Sequence, residues 1–167
     1  DGRKFLSDEE SKYPFPINDK PELIRSRMTH YLTKSVWKGN FSAPGMDERL
    51  KKGAKVLDVC CGLGFWTMDL ANAYPNSTFV GIDLAPMFPN EDVRPPNAGF
   101  LECNILDGIP FPDDTFDFVY QRFVWSAFNE FQWRKIIQEL VRVTKKGGVL
   151  ELMEFDWGFK NPGPKTQ

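Results

Sequence analysis

Histidine is almost missing from these 167 residues, with His30 standing alone. The three cysteines, Cys60, Cys61 and Cys103, add no metal-ligand spacing to it, so no zinc site is expected. Their odd number, with two adjacent, also excludes a disulfide framework and points to a reducing compartment. Long apolar runs are absent: none approaches the roughly 18 to 20 residues that span a bilayer. The polar opening DGRKFLSDEE has no secretory core either. The expectation is an intracellular protein, cytoplasmic or nuclear, with no membrane partner. Charge of one sign is lacking too, since 21 Lys and Arg stand against 23 Asp and Glu. No nucleic-acid partner is expected from that balance. The first residue is Asp rather than Met, which suggests a processed chain or an excerpt of a longer one.

What is present suffices for one buried core. Residues 1–20, charged and carrying Pro14 and Pro16, read as an N-terminal arm, and residues 21–167 as a single domain. Ile24, Met28, Tyr31 and Leu32 recur at helical spacing up to Gly39, predicting an amphipathic helix. KVLDV at 55–59 is a short β-branched run that enters the turn CCGLG, and a helix from Phe65 is stopped by Pro75. STFVGID supplies a second strand, AGFLEC a third and FDFVY a fourth. Asn129 is a plausible N-cap, with Phe128 and Trp133 placed as a hydrophobic staple, ahead of a helix that closes at KKGG. Val149 to Phe155 is the fifth strand. Strand, turn, helix, strand is a βαβ unit with a right-handed crossover.

The chemistry concentrates in DVCCGLG. Gly62 and Gly64 lie between a strand and a helix, where backbone can approach a ligand and N–H groups are free. Asp83 ends the second strand 19 residues after Gly64 (83 − 64), close to the spacing of about 20 at which a carboxylate meets a ribose diol. A dinucleotide fingerprint would need a third glycine where Thr67 stands. Asp58, four residues before Gly62, would repel a pyrophosphate and would suit a cofactor bearing a sulfonium and an ammonium. Charge thus favours S-adenosylmethionine over NAD.

The phrases KVLDVCCGLGFW, FVGIDLAP, ECNILDGIPFPDDTFDFVYQR and ELVRVTKKGGVLELME, in that order across about 55–154, resemble the successive motifs of class I S-adenosylmethionine-dependent methyltransferases. WKGNFSAPG, GIDLAP, RPPN and YQRF further resemble fungal methyltransferase-domain proteins related to regulators of secondary metabolism. The resemblance implies an α/β, Rossmann-like doubly wound sheet in the order 3-2-1-4-5, lacking the last two strands of the full fold. It implies that Cys60, Cys61, Gly62 and Gly64 line the methionine end of the cofactor, that Asp58 supports the turn or the amino group, and that Asp83 takes the ribose hydroxyls beside Leu84. Asn104 and Ile105 would meet the adenine, and Gln121 and Arg122 would close over the methionine moiety. Tyr31 and Asn40 could complete a lid. Phe123 and Trp125, just past the fourth strand, are the preferred substrate-facing pair.

One departure is plain: Cys60 stands where the motif has its first glycine. The expected activity is methyl transfer to a small-molecule or protein acceptor, with S-adenosylhomocysteine as product. The alternative is a catalytically silent cofactor-binding or interaction module, and NAD binding stands third. No catalytic base is identified. The fifth strand would leave an apolar edge, through which the chain is expected to pair with itself or a partner.

Overall fold

The computed structural model describes residues 2–7, 13–17, 20–156 and 158. Its centre is a five-stranded parallel sheet made of β1 (Lys55–Val59), β2 (Thr78–Asp83), β3 (Ala98–Glu102), β4 (Phe116–Arg122) and β5 (Thr144–Met153), in the order β3-β2-β1-β4-β5. Helices α1 (Lys20–Trp37), α2 (Met46–Lys52), α3 (Phe65–Ala73) and α4 (Glu130–Val143) accompany it. This is the doubly wound α/β arrangement expected from the motif order.

Strand alternation explains the two layers. Val56 faces one side and joins Phe79, Phe118 and Tyr120 under α2 and α3, where Trp66, Leu70 and Leu50 are buried. Leu57 and Val59 face the other, with Val119 and Ile82 under Ile136, Leu140 and Val143 of α4. Trp66 stacks on Tyr120 with centroids 4.2 Å apart and planes 3° from parallel. Neighbouring residues thus serve opposite cores, as a sheet covered on both faces requires.

Helix α4 begins as its sequence predicts. Asn129 Oδ1 accepts from the Gln132 N–H and Gln132 Oε1 accepts from the Asn129 N–H, while Phe128 meets Trp133 edge-on at 5.7 Å. Its end differs from expectation. The chain passes from Val143 directly into β5, and Lys145 to Gly148 lie within that strand. A register shift between Phe116 and Phe118, with Gly147 at φ 75°, absorbs the extra residues. Helix α2 carries no periodic stripe long enough to announce it; only Met46 and Leu50, four apart, are buried.

Helix α1 corrects the amphipathic reading. Ile24, Met28, Tyr31 and Leu32 are 51–67% exposed, whereas Glu22 and His30 are buried. The polar face is turned inward. Among the described residues no helix is long and apolar enough to cross a membrane.

Candidate functional site

Strand order reverses between β1 and β4, whose neighbours β2 and β5 lie on opposite sides, and the crevice beyond their carboxyl ends is where such sheets hold ligands. A cavity of about 690 Å³ opens there. Its floor is the β1–α3 turn. Gly62, at φ 54°, has open space where a Cβ would be, so the backbone itself faces the cavity. Gly64 serves packing instead: at φ 72° it caps α3, and an added Cβ would come within 2.5 Å of Phe100. It is absent from the cavity wall.

Asp83 binds the turn to β2. Its Oδ2 accepts from the Gly62 N–H at 2.8 Å and its Oδ1 from the Ala85 N–H at 2.9 Å. Each carboxylate oxygen keeps a further lone pair for a ligand hydroxyl. Burial pushes Asp83 above the usual carboxylate range, against the pull of those N–H groups. Leu84, Asn104 and Ile105 continue this wall. The Asn104 Oδ1 is occupied in part, accepting from the Leu106 N–H at 3.1 Å to cap a short 3₁₀ turn.

Asp58 lies at the other end. It is 3% exposed, and its Oδ2 accepts from the Thr67 hydroxyl at 2.6 Å. Thr67, where a dinucleotide site has glycine, thus anchors the carboxyl. Burial raises Asp58 to about 7, opposed by the Thr67 bond and by the charge of Arg122. Cys60 and Cys61 line the same end, and burial holds both thiols well above their ordinary range, hence protonated. Cys60 sits at φ 58°, the left-handed conformation that suits the glycine it replaces.

Several expected residues fall elsewhere. Gln121 is fully buried and turns away from the cavity, with Nε2 3.7 Å from the Cys60 Sγ. Its neighbour Arg122 reaches the cavity, because successive strand residues point to opposite faces. Tyr31 lies on the outer face of α1 under Arg27, and Asn40 donates through Nδ2 to Asp69 at 2.7 Å; neither lines the cavity. Phe123 and Trp125 do line it, joined by Phe128 and Phe155, and Phe123 stacks on Phe155 at 4.4 Å.

Two contributions escaped the sequence reading. The arm supplies Leu6, Tyr13, Pro14, Phe15 and Ile17 to the wall. Arg25 holds it, donating to the Tyr13 hydroxyl at 3.2 Å, with its guanidinium 4.3 Å above the Phe15 ring. From α1 come Glu22, Ser26, Thr29 and His30. Their spacing of i, i+4, i+7 and i+8 is itself a helical stripe, legible once a polar stripe is allowed to be the inner one. His30 Nδ1 lies 2.9 Å from Arg122 Nη2. Arginine only donates, so Nδ1 accepts and the ring proton resides on Nε2, which faces Asp69 Oδ2 at 3.5 Å. Asp69 lies well below the ordinary carboxylate range under the influence of His30, Lys34 and Asn40.

With this geometry in place, comparison with known proteins decides the family. A model described as a methyltransferase domain matches residues 56–148. The chain belongs to this methyltransferase family. It is 32% identical over 153 residues to the N-methyltransferase verN of Clonostachys rogersoniana, covering 90% of the chain and 53% of that protein. It is 29% identical over 163 residues to the secondary metabolism regulator laeA of Coprinopsis cinerea, covering 93% of the chain and 39% of that protein. The chain therefore spans about half the length, or less, of these relatives. Among solved structures, PKMT2 from Rickettsia typhi in complex with AdoHcy superposes with a TM-score of 0.51 at 25% identity, over 62% of this chain and 21% of that one.

Proposed function

We propose that this chain binds S-adenosylmethionine in the cavity beyond β1 and β4 and serves methyl transfer to a small-molecule acceptor. The observation that carries the reading is the Asp83 carboxylate bonded to the Gly62 N–H at the rim of an open glycine turn. It joins a diol acceptor to a bare backbone floor, which is what an adenosyl group requires. The residues fit the cofactor along its length. Ile105 and Leu84 offer apolar contact for a purine, Asp83 accepts from a ribose, and Asp58 with the turn suits a cationic amino-acid end. A cavity of about 690 Å³ also leaves room beside the cofactor for an acceptor.

When bound, the cofactor supplies an activated methyl group carried on its own leaving group. The protein's task is then alignment and exclusion of water. Phe123, Trp125, Phe128 and Phe155 form the apolar wall against which a flat or aromatic acceptor would lie. The enclosing arm favours a small molecule over a folded protein surface. The name of verN supports a nitrogen as the atom methylated.

Calorimetric titration tests the site. Wild type should bind S-adenosylmethionine, and Asp83→Ala should weaken binding by about 10- to 100-fold, as expected when a charged acceptor for two hydroxyls is lost. An unchanged affinity in Asp83→Ala would remove the basis of this reading. Turnover of methyl-labelled cofactor with candidate amines separates an enzyme from a silent binding module, for which Cys60 in the glycine position is the motive.

A further inference from the structure

We propose that Arg122 is the receptor for the carboxylate of the cofactor's amino-acid half, and that His30 is the residue that positions it. The inference rests on the cofactor reading above and assigns the chemistry of one end of that site.

Arg122 stands at the carboxyl end of β4, half-buried on the cavity wall. Among the described residues no carboxylate forms an ion pair with it. Its direct contacts are the His30 Nδ1, the Tyr120 hydroxyl and the face of Phe123, 5.5 Å from the guanidinium. A guanidinium carries five N–H donors in a rigid fork, and a carboxylate matches two of them at once. The charge of Asp58 is felt by Arg122 but the two form no ion pair, so the donors of the fork are left for an anion that a ligand brings.

Asp58, at the same end, supplies the opposite sign. Arg122 and Asp58 together present a positive and a negative group to one corner of the cavity, the pattern that matches an α-amino acid with its carboxylate and ammonium. An anion on the acceptor would match Arg122 but would leave Asp58 without a cation, so the cofactor fits better.

His30 acts through Arg122. Its Nδ1 takes one Nη2 hydrogen, while Nε2 faces Asp69, itself fixed by Lys34 at 2.6 Å and Asn40 at 2.7 Å. The imidazole thereby links α1 to Arg122 of β4, with Asp69 of α3 3.5 Å behind it. A neutral acceptor orients Arg122 without cancelling its charge, as a carboxylate in that place would.

Titration with S-adenosylmethionine and with decarboxylated S-adenosylmethionine, which differ only in the carboxylate, tests the assignment as a thermodynamic cycle. Wild type should prefer the intact cofactor by about 10- to 100-fold, the range of a charge-assisted pair in a partly desolvated site. Arg122→Gln should abolish that preference while changing affinity for the decarboxylated compound by less than about threefold, and Arg122→Lys should keep part of it. His30→Phe retains a ring but no acceptor and should reduce the preference by about three- to fivefold; His30→Gln, whose carbonyl can accept, should restore it. A preference that survives Arg122→Gln overturns the proposal. So does an equal loss for both compounds in that variant, the mark of a structural role, and so does equal binding of both by wild type. Wild type binding neither compound would instead overturn the cofactor reading itself.

Discussion

Cys60 holds a left-handed backbone at φ 58° and places its thiol on the cavity wall. A side chain in that conformation costs about 1–2 kcal/mol relative to glycine. The thiol makes a contact with Gln121 Nε2 at 3.7 Å. Cys60→Gly should therefore stabilise the protein by about 1 kcal/mol in urea denaturation and should not weaken cofactor binding. A loss of stability would show that the thiol's packing outweighs the strain. Asp58 offers a pH test. Its folded value of about 7 lies above that of an unfolded Asp, so the folded chain holds the extra proton between about pH 4 and 7. This contribution to stability is full below the unfolded value and is lost as pH rises through 7. A cationic ligand favours the ionised form. Cofactor binding near pH 6 should then release protons, and affinity should rise toward pH 7; titration in buffers of different ionisation enthalpy measures the release, and Asp58→Asn should abolish it. Sequence alone placed Asp58, Gly62, Asp83, Leu84, Asn104 and Ile105 at strand ends and turns, and all six line the cavity; their part in holding a cofactor belongs to the proposal. Sequence could not choose between Gln121 and Arg122, because one residue of register along β4 reverses the face.

Among the elements, α4 was the most legible and α1 the least. The cap, the staple and the stripe of α4 are all local, and they agree. Asn129→Ala removes the side-chain acceptor of the Gln132 N–H, leaves the backbone N–H that Gln132 Oε1 accepts, and should cost about 1 kcal/mol in thermal or urea denaturation. A change below a few tenths would mean that packing of Ile136 and Leu140 alone fixes the start of the helix. Helix α1 misled because a hydrophobic stripe is read as the inner face by default. Here the inner face borders a cavity lined by Glu22, Ser26, Thr29 and His30, and the apolar stripe is left outside. Nothing within α1 distinguishes the two cases; the distinction lies in what it packs against. Helix α2 is not legible in the sequence, since seven residues with two buried apolar positions fall below any periodic signal.

For the whole molecule, the sheet order was implied by the motifs, and apolar side chains stand exposed at its borders. β5 lies at the edge with Leu152 42% exposed, and Ile24, Met28 and Leu32 form an outer stripe on α1. Such edges and patches favour association. Solution mass should rise with concentration, and Leu152→Lys or Leu32→Glu should return it toward that of one chain; a constant monomer mass would show that these surfaces are tolerated bare. The arm has a different consequence. One wall of the cavity is chain that precedes α1, held through Arg25 to Tyr13 and Phe15 rather than by the sheet. A segment that lies outside the sheet can open without the domain unfolding. The residence time of any ligand beneath it then depends on how often this arm opens, and two ligands of equal affinity can differ widely in how long they stay.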